Sequence, residues 1–279
     1  MRINHNISAM ITQSALGNAD NSMGKSLEKL STGLRVNRAS DDAAGLAVSE
    51  RLRAQVRGLG RAKMNAQDGI ALLQIAEGAL NEMDSILQRQ RELAVQAASD
   101  TLTSADRSYL NVEYGQLNQE IDRIASSTQY NGMNLLNGTG FGAAGGSVLH
   151  IGANSGDSDK ITIGITTISS GSLGVSSSTA GVTAQGSANS TIGTIDTAMG
   201  TVNSLRSNLG AYINRLEHAI NGIANQEYNT QDAESRIRDV DFAYETTNFT
   251  RNQILVQSST AMLGQANLAP QSVLSLLRS

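Results

Sequence analysis

The chain has 279 residues, a formal net charge of -4, no cysteine and no tryptophan, and only 3% aromatic residues. The length suffices for one large domain or two ordinary ones, and the absence of cysteine excludes a disulfide framework and thiolate chemistry. The slightly negative charge gives no reason to expect nucleic-acid binding. So few large rings are unusual for a single globular core, whereas one proline among many alanine, leucine, glutamine and serine residues indicates long helices.

The N-terminal segment is almost free of charge. From Ile3 to Ala19 the only ionisable side chain is His5, and polar residues interrupt the apolar ones too often for the apolar region of a secretory signal. We therefore expect no cleaved signal peptide.

An apolar stripe with the spacing of one helical face follows the N-terminal segment. Its members are Met23, Leu27, Leu30 and Leu34.

Two further helices are predicted after a turn-compatible stretch at 33–45. The first carries apolar residues at steps of three and four, which is typical of a long helix with a narrow apolar seam. These residues are Leu52, Val56, Leu59, Ala66, Ile70, Leu73, Leu80, Met83 and Leu87. The segment from Thr103 to Asp106 has the pattern of a capping box, which predicts the start of the next helix. Its stripe comprises Leu110, Tyr114, Leu117, Ile121 and Ile124.

The middle of the chain has a different pattern. The stretch YNGMNLLNGTGFG at 130–142 contains two Asn-Gly pairs, which are strong turn signals because both residue types accept positive φ. From there to about residue 190 the chain is mostly glycine, serine, threonine and alanine. Ile161, Ile163 and Ile165 alternate with smaller residues at the period of a strand. We predict short hairpins and loops.

Helical periodicity returns in the last third of the chain. Its stripe, the most regular in the sequence, comprises Ile192, Ile195, Met199, Val202, Leu205, Leu209, Ile213, Leu216, Ile220 and Ile223. The segment Asn252–Leu277 then contains no Asp, Glu, Lys or Arg. Polar residues interrupt its apolar residues too often for a bilayer, where each unpaired polar group is costly. We therefore predict no membrane span but a segment buried against protein.

These elements predict a mainly α fold. Long helical seams pair in an antiparallel bundle, the N- and C-terminal segments pair in a coiled coil, and a small middle segment rich in β-hairpins lies between them. Two helices alone bury too little apolar surface to be stable. Because a helix face in contact with water generally carries charge, the uncharged terminal faces predict further contacts. These faces pack against the rest of the chain or against copies of it. Alternatively, they line a neutral passage.

No chemical site is indicated by the sequence. The three histidines lie on three different predicted elements without an HExxH spacing, which argues against a metal site; they are His5, His150 and His218. Asp41 and Asp42 fit the start of a helix better than an acid-base pair, which requires a pocket and a substrate. The stretch NSGDSD at 154–159 lacks the length and closing Glu of a calcium loop, so we interpret it as a turn. We expect neither an enzyme nor a cofactor.

Several long stretches resemble bacterial flagellin. They are LSTGLRVNRASDDAAGLAVSERLRAQVRGL at 30–59, QDGIALLQIAEGAL at 67–80, EIDRIASSTQYNGMNLLNG at 120–138, ESRIRDVDFAYE at 234–245 and NQILVQSSTAMLGQANLAPQSVLSLL at 252–277. The resemblance covers about the first half and the last third of the chain. It implies a structural subunit that self-assembles into the flagellar filament for swimming motility. The alternative is the junction protein between hook and filament, which shares the N-terminal pattern but less of the C-terminal one.

The resemblance implies three parts of the chain. Residues 1–44 and 236–279 are expected to form an inner coiled coil that lines the filament channel, and residues 45–138 and 190–235 a helical outer tube. Residues 139–189 are expected to form a short variable surface segment that faces outward. The resemblance also implies that apolar residues of the coiled coil carry self-assembly. They are Ile3, Ile7, Met10, Ile11, Leu27, Leu30, Leu255, Val256, Met262, Leu263, Val273, Leu276 and Leu277.

Partners and location are implied in the same way. A flagellin is exported without a cleaved signal peptide through the flagellar export apparatus, has an export chaperone and a filament cap as partners, and forms an extracellular homopolymer. The stretch QRQREL at 88–93 is typical of a solvated helix face. By resemblance it matches the segment that the flagellin-sensing toll-like receptor of mammals recognises, which implies contacts through Arg89, Leu93 and Glu113. Gln90 stands where an apolar residue is common.

Overall fold

The structure is a computed structural model that describes residues 5–143, 145–177 and 180–278, with side chains to residue 268. The helices in these ranges are α1 (Ile7–Thr32), α2 (Ala43–Ala97), α3 (Ser104–Ser127), α4 (Gln185–Arg238) and α5 (Phe242–Arg278). The strands are β1 (Gln129–Tyr130), β2 (Met133–Asn134), β3 (Ser147–His150) and β4 (Lys160–Ile163), and a short 3-10 helix covers Asp157–Asp159. The predicted mainly α fold is confirmed.

The chain divides into two compact units. Unit 1 comprises Met1–Ala54 and Asn229–Ser279, and unit 2 comprises Gln55–Tyr228. These boundaries lie within about ten residues of those predicted between the inner and outer helical parts. The segment predicted as a separate surface part, 139–189, falls within unit 2.

The ends of the helices follow local signals in the sequence. At the start of α3, the backbone amide of Asp106 donates to the Thr103 hydroxyl at 3.3 Å, and the Asp106 carboxylate accepts the Thr103 amide at 3.0 Å. This is the predicted capping box. Hydrogen bonds from the Thr103 hydroxyl and amide lower the pKa of Asp106. α1 ends at Gly33, which has the left-handed conformation (φ 72°) that glycine adopts readily.

The core of unit 2 lies between α2, α3 and α4. Members of the apolar stripes predicted for all three helices are buried in this core, so the three stripes face one another. Members of this core include Leu73, Leu80, Met83, Leu87, Tyr114, Ile121, Val202, Leu209 and Leu216.

Two hairpins follow α3. The first joins β1 to β2 through Asn131 and Gly132, whose φ values of 49° and 76° are those that an Asn-Gly turn requires. The second pairs β3 with β4 in antiparallel register, with Val148 opposite Thr162. Leu149 of β3 packs over Gly69 of α2, at a point where a side chain on Gly69 would collide with it. The hairpin predicted at the first Asn-Gly pair is therefore present, and the predicted strand at Ile161 and Ile163 forms β4, but the second pair, Asn137 and Gly138, lies in a bend outside the strands.

The middle segment contributes to the core, which corrects the expectation that it lies at the surface. Although it is rich in small polar residues, its apolar side chains pack into the same core as the three helices of unit 2. They are Ile161, Ile163, Ile165, Ile168, Leu173, Val175, Ala180 and Val182. The polar composition misled the prediction because the small residues between these side chains allow the backbone to lie close to the helices.

A polar stripe on α3 holds part of this segment in place. We refer to residues 170–177 and 180–182 as the strap. At one end of the strap, the backbone amide and hydroxyl of Ser170 both donate to the Asp122 carboxylate at 2.7 Å. At the other end, the amide of Val182 donates to the side-chain oxygen of Asn111 at 3.2 Å. The strap is thus attached to α3 at both ends.

Between these ends, buried polar side chains link the strap to α3 and α2. The Tyr114 hydroxyl donates to the carbonyl of Val175 at 3.0 Å, and the Asn118 amide donates to the Ser177 hydroxyl at 3.2 Å. Gln90 of α2, which is fully buried, donates to the Asn118 side-chain oxygen at 2.9 Å. Burial raises the pKa of Tyr114 to about 12. Because buried hydrogen bonds are directional, this network specifies one position of the strap.

Candidate assembly surface

In unit 1, α1 and α5 pack against each other along their length. The contact buries few side chains: Ala19 and Ser26 are the buried residues of α1, and Glu245 is the buried one among the described side chains of α5. Small residues at a helix contact permit close approach but supply little apolar area. The pair therefore leaves most of both helices uncovered.

Large apolar side chains remain exposed on this pair. Eight of them are between 47% and 66% exposed, and together they form what we call the assembly surface. They are Ile7, Met10, Ile11, Leu27, Ile254, Leu255, Met262 and Leu268. Neither the part of α1 from Ile7 to Ala19 nor the part of α5 from Asn252 to Leu268 carries a charged residue. An exposed, uncharged apolar surface of this kind is typical of a protein-protein contact.

The charged groups of unit 1 lie outside these two charge-free parts, some of them beside Leu27 on α1 and others near the chain turns. The guanidinium of Arg238 donates to Glu50 at 2.6 Å, and the Lys29 ammonium lies 3.9 Å from the Glu245 carboxylate. Arg238 and Glu245 are both buried. The backbone amide of Arg35 also donates to the carbonyl of Arg238 at 2.6 Å. These contacts join the end of α1, the turn after it and the start of α2 to the end of α4 and the start of α5.

The residues considered for catalysis or metal binding have structural partners. The Asp42 carboxylate accepts the amide of Gly45 at 2.8 Å, at the start of α2. Asp41 accepts the amides of Arg38 and Asn37, which lower its pKa. The contact of Asp42 agrees with the predicted role at a helix start, whereas Asp41 stabilises the turn that precedes α2.

The NSGDSD stretch is a turn, as we interpreted it. The Asp159 carboxylate accepts the amide of Asn154 at 3.0 Å, and Asp157 pairs with Lys160 at 3.0 Å. Among the described residues, no group of three or more His, Cys, Asp or Glu side chains is arranged to hold a metal ion. Nor does any helix in the described ranges combine the length and hydropathy needed to cross a membrane.

Comparison with known proteins identifies the family. Residues 3–140 match the family described as bacterial flagellin N-terminal helical region, and residues 192–277 match the bacterial flagellin C-terminal helical region. The chain belongs to the bacterial flagellin family. This flagellin is 51% identical to the flagellar filament 33 kDa core protein of Treponema phagedenis and 49% identical to a flagellin of Halalkalibacterium halodurans. Both alignments cover 100% of each chain.

A solved structure with similarity to this flagellin is the crystal structure of Bacillus cereus flagellin. The two are 33% identical, with a TM-score of 0.49, and the match covers 57% of this chain and 88% of that chain.

The structure places the predicted self-assembly residues of this flagellin in three groups. Six are exposed on the assembly surface: Ile7, Met10, Ile11, Leu27, Leu255 and Met262. Leu30, Val256 and Leu263 are half-buried. Ile3 lies outside the described residues, as do the side chains of Val273, Leu276 and Leu277. Ile254 and Leu268 belong to the same surface but were missed, although both lie within the charge-free stretch that signalled it.

The segment predicted to contact an immune receptor is only partly exposed in this flagellin. The Arg89 guanidinium lies on the surface and donates to Glu113 and Glu92, both at 2.9 Å. These bonds, with that to Glu113 the larger cause, raise the pKa of Arg89. Leu93, however, is 1% exposed. Its predicted contact is corrected, because its side chain packs into the core of unit 2 and is not available to a partner.

Proposed function

We propose that this flagellin is the structural subunit of a flagellar filament and that subunits join through the assembly surface on α1 and α5. The observation that carries the proposal is the uncharged apolar surface that these helices leave exposed. Burying the exposed part of eight such side chains is worth on the order of 6–12 kcal/mol. This is comparable with the cost of association, about 4–15 kcal/mol. Burial of the surface therefore offsets most of the cost of association, and other contacts between subunits supply the remaining free energy.

The relatives support this proposal. Full-length alignment at about half identity joins the chain to proteins named as a flagellar filament core protein and a flagellin. These names favour a filament subunit over the junction protein between hook and filament. They also support an extracellular flagellum as the location and swimming motility as the process served.

Finer parts of the proposal concern the route to the filament. We propose export through the flagellar apparatus without a cleaved signal, an inner position for α1 and α5 beside the filament channel, and contacts with an export chaperone and a filament cap. Support comes from the assembly surface, which needs cover while the chain is free. An uncharged surface is also suited to a channel through which unfolded chains pass.

We expect assembly to need no nucleotide, because the sequence shows no phosphate-binding loop and apolar burial supplies the free energy. Purified monomer at high concentration, mixed with sheared filament fragments, should elongate them in buffer free of nucleotide. Sedimentation and negative-stain electron microscopy measure the polymer. A sample without fragments controls for spontaneous aggregation. Failure of monomer to elongate fragments at any soluble concentration would overturn the proposal.

A second expectation concerns the face that carries Arg89 and Glu113, which we propose is covered in the filament and available to a receptor only in the free subunit. Because the chain has no cysteine, the variant Arg89→Cys carries a single thiol. Its maleimide labelling should be fast in monomer and slow in filament. Ser155→Cys, in the exposed turn of the second hairpin, serves as the control and should label at similar rates in both states. Equal labelling at Arg89→Cys in both states would contradict the proposed covering.

A further inference from the structure

α5 contains a proline in its interior. The helix extends from Phe242 to Arg278 and includes Pro270, the one proline of the chain. In an α-helix each amide donates to the carbonyl four residues earlier, and proline has no amide hydrogen to donate. The carbonyl left without its helical donor is that of Ala266. A carbonyl without a partner in a helix contact costs stability. A hydrogen-bond donor from elsewhere in the chain would therefore stabilise the contact.

The structure supplies such a donor from the other end of the chain. The side-chain nitrogen of Asn6 donates to the carbonyl oxygen of Ala266 at 2.8 Å. The side-chain oxygen of the same residue accepts the backbone amide of Ala9 at 3.1 Å and thereby caps the start of α1. One carboxamide thus acts in two helices: its oxygen begins α1, and its nitrogen replaces the hydrogen bond that Pro270 cannot make.

We propose that Asn6 is a positioning residue that fixes the register of α1 against α5 at the gap created by Pro270. The pairing suits asparagine, since its short side-chain amide offers an acceptor for the cap and a separate donor for the carbonyl. Serine or aspartate would retain the cap, but serine has a single short hydroxyl and an ionised aspartate has no donor. The combination of the two bonds therefore favours asparagine over serine and aspartate.

The register matters because the bond lies within the assembly surface. Ile7 and Met10 follow Asn6 directly along α1, and Met262 and Leu268 lie on either side of Ala266 along α5. A shift of one helix along the other by one residue would move these exposed side chains by about 1.5 Å relative to each other. Asn6 and Pro270 together thus align the two halves of the surface that neighbouring subunits contact.

A double-mutant cycle on the full chain tests this inference, which rests on the proposed function because the readout is assembly. The four proteins are wild type, Asn6→Ser, Pro270→Ala and the double variant. Serine retains the cap of α1, and alanine at 270 restores the missing amide. The critical concentration for elongation of filament fragments is measured for each.

We expect Asn6→Ser to raise the critical concentration of the wild type about fivefold, the factor that one net hydrogen bond provides. In the Pro270→Ala background, the same change should have almost no effect, because the Ala266 carbonyl then has a helical donor. A residue that acted only as a cap or as general packing would give the same factor in both backgrounds. Equal factors, or no effect in the wild type, would overturn the inference.

A second readout separates this inference from the proposed function. If the wild type does not elongate fragments, the proposed function fails. The four proteins are then compared by hydrogen exchange of peptides covering residues 5–20 and 252–270 in the full-length monomer. Faster exchange of both peptides in Asn6→Ser, reversed in the double variant, supports the pairing of Asn6 with Pro270. Equal acceleration in both backgrounds overturns it.

Discussion

Replacing Met262 by aspartate should abolish filament assembly at any practical concentration while leaving the free chain folded. The Met262 side chain is 61% exposed in the subunit, so a carboxylate there meets water and costs the monomer little. In the proposed subunit contact, the same carboxylate is buried without a charged partner, since no charge lies between Asn252 and Leu268. Such burial costs several kcal/mol. About 4 kcal/mol corresponds to roughly a thousandfold rise in critical concentration.

The measurement compares sedimentable polymer with the thermal unfolding of the monomer followed by circular dichroism. Met262→Leu is the matched control, because it keeps an apolar side chain of similar volume and should assemble like the wild type. Normal assembly of Met262→Asp would show that α5 does not contact other subunits at this point. A sharp fall in its melting temperature would instead show that Met262 stabilises the folded monomer.

Truncating Ile163 to alanine should lower the free energy of unfolding of the monomer by about 3 kcal/mol, as typical for a fully buried isoleucine. Ile163 lies on β4 and is 0% exposed, within the core that α2, α3 and α4 share. Its removal leaves a cavity that the surrounding helices cannot fill completely. Urea unfolding followed by far-UV circular dichroism measures the change, with the slope of the transition checked for constancy.

The neighbouring strand provides a matched control for this second variant. Val148 on β3 is 58% exposed, and Val148→Ala should change the unfolding free energy by less than about 0.5 kcal/mol. If Ile163→Ala is as mild as Val148→Ala, the middle segment does not contribute to the stability of unit 2. A large effect at Ile163 alone agrees with the packing of β4 into the helical core.

Local signals in the sequence predicted the elements well. Thr103 and Asp106 form a capping box with partners three residues apart, so the start of α3 needs no knowledge of the rest of the chain. The same holds for the turn at Asn131 and Gly132, which depends only on the φ values that these residues accept. The long apolar stripes were likewise visible because one helix period repeats over many turns.

Contacts between distant residues could not be predicted in this way. Asn118 and Asp122 of α3 look like residues of a solvated helix face, yet they hold the strap. Gln90 looks like part of a surface run of polar residues, but it is fully buried and bonds to Asn118. Each pairing joins residues separated by 28 or more positions. Neither the periodicity nor the composition of the sequence therefore predicts it.

The assembly surface could be predicted from the sequence only in part. The missing charge at both chain ends indicated that Ile7 and Met262 belong to contact-forming helices, which is a property of the sequence alone. Which side of each helix is exposed depends on the way α1 and α5 pair. For that reason Leu30 and Leu263, predicted with the others, are half-buried, whereas Ile254 and Leu268 were missed.

The attachment of the strap at both ends determines where this protein can change in length. Inserting or deleting a residue between Ser170 and Val182 would pull one end away from Asp122 or Asn111 and leave a polar group without its partner. Residues 155–158, in the turn between β3 and β4, are exposed, so extra residues there would project into solvent and disturb little packing. Insertions and foreign peptide tags are therefore best tolerated at the tip of the second hairpin, whereas the strap keeps a constant length.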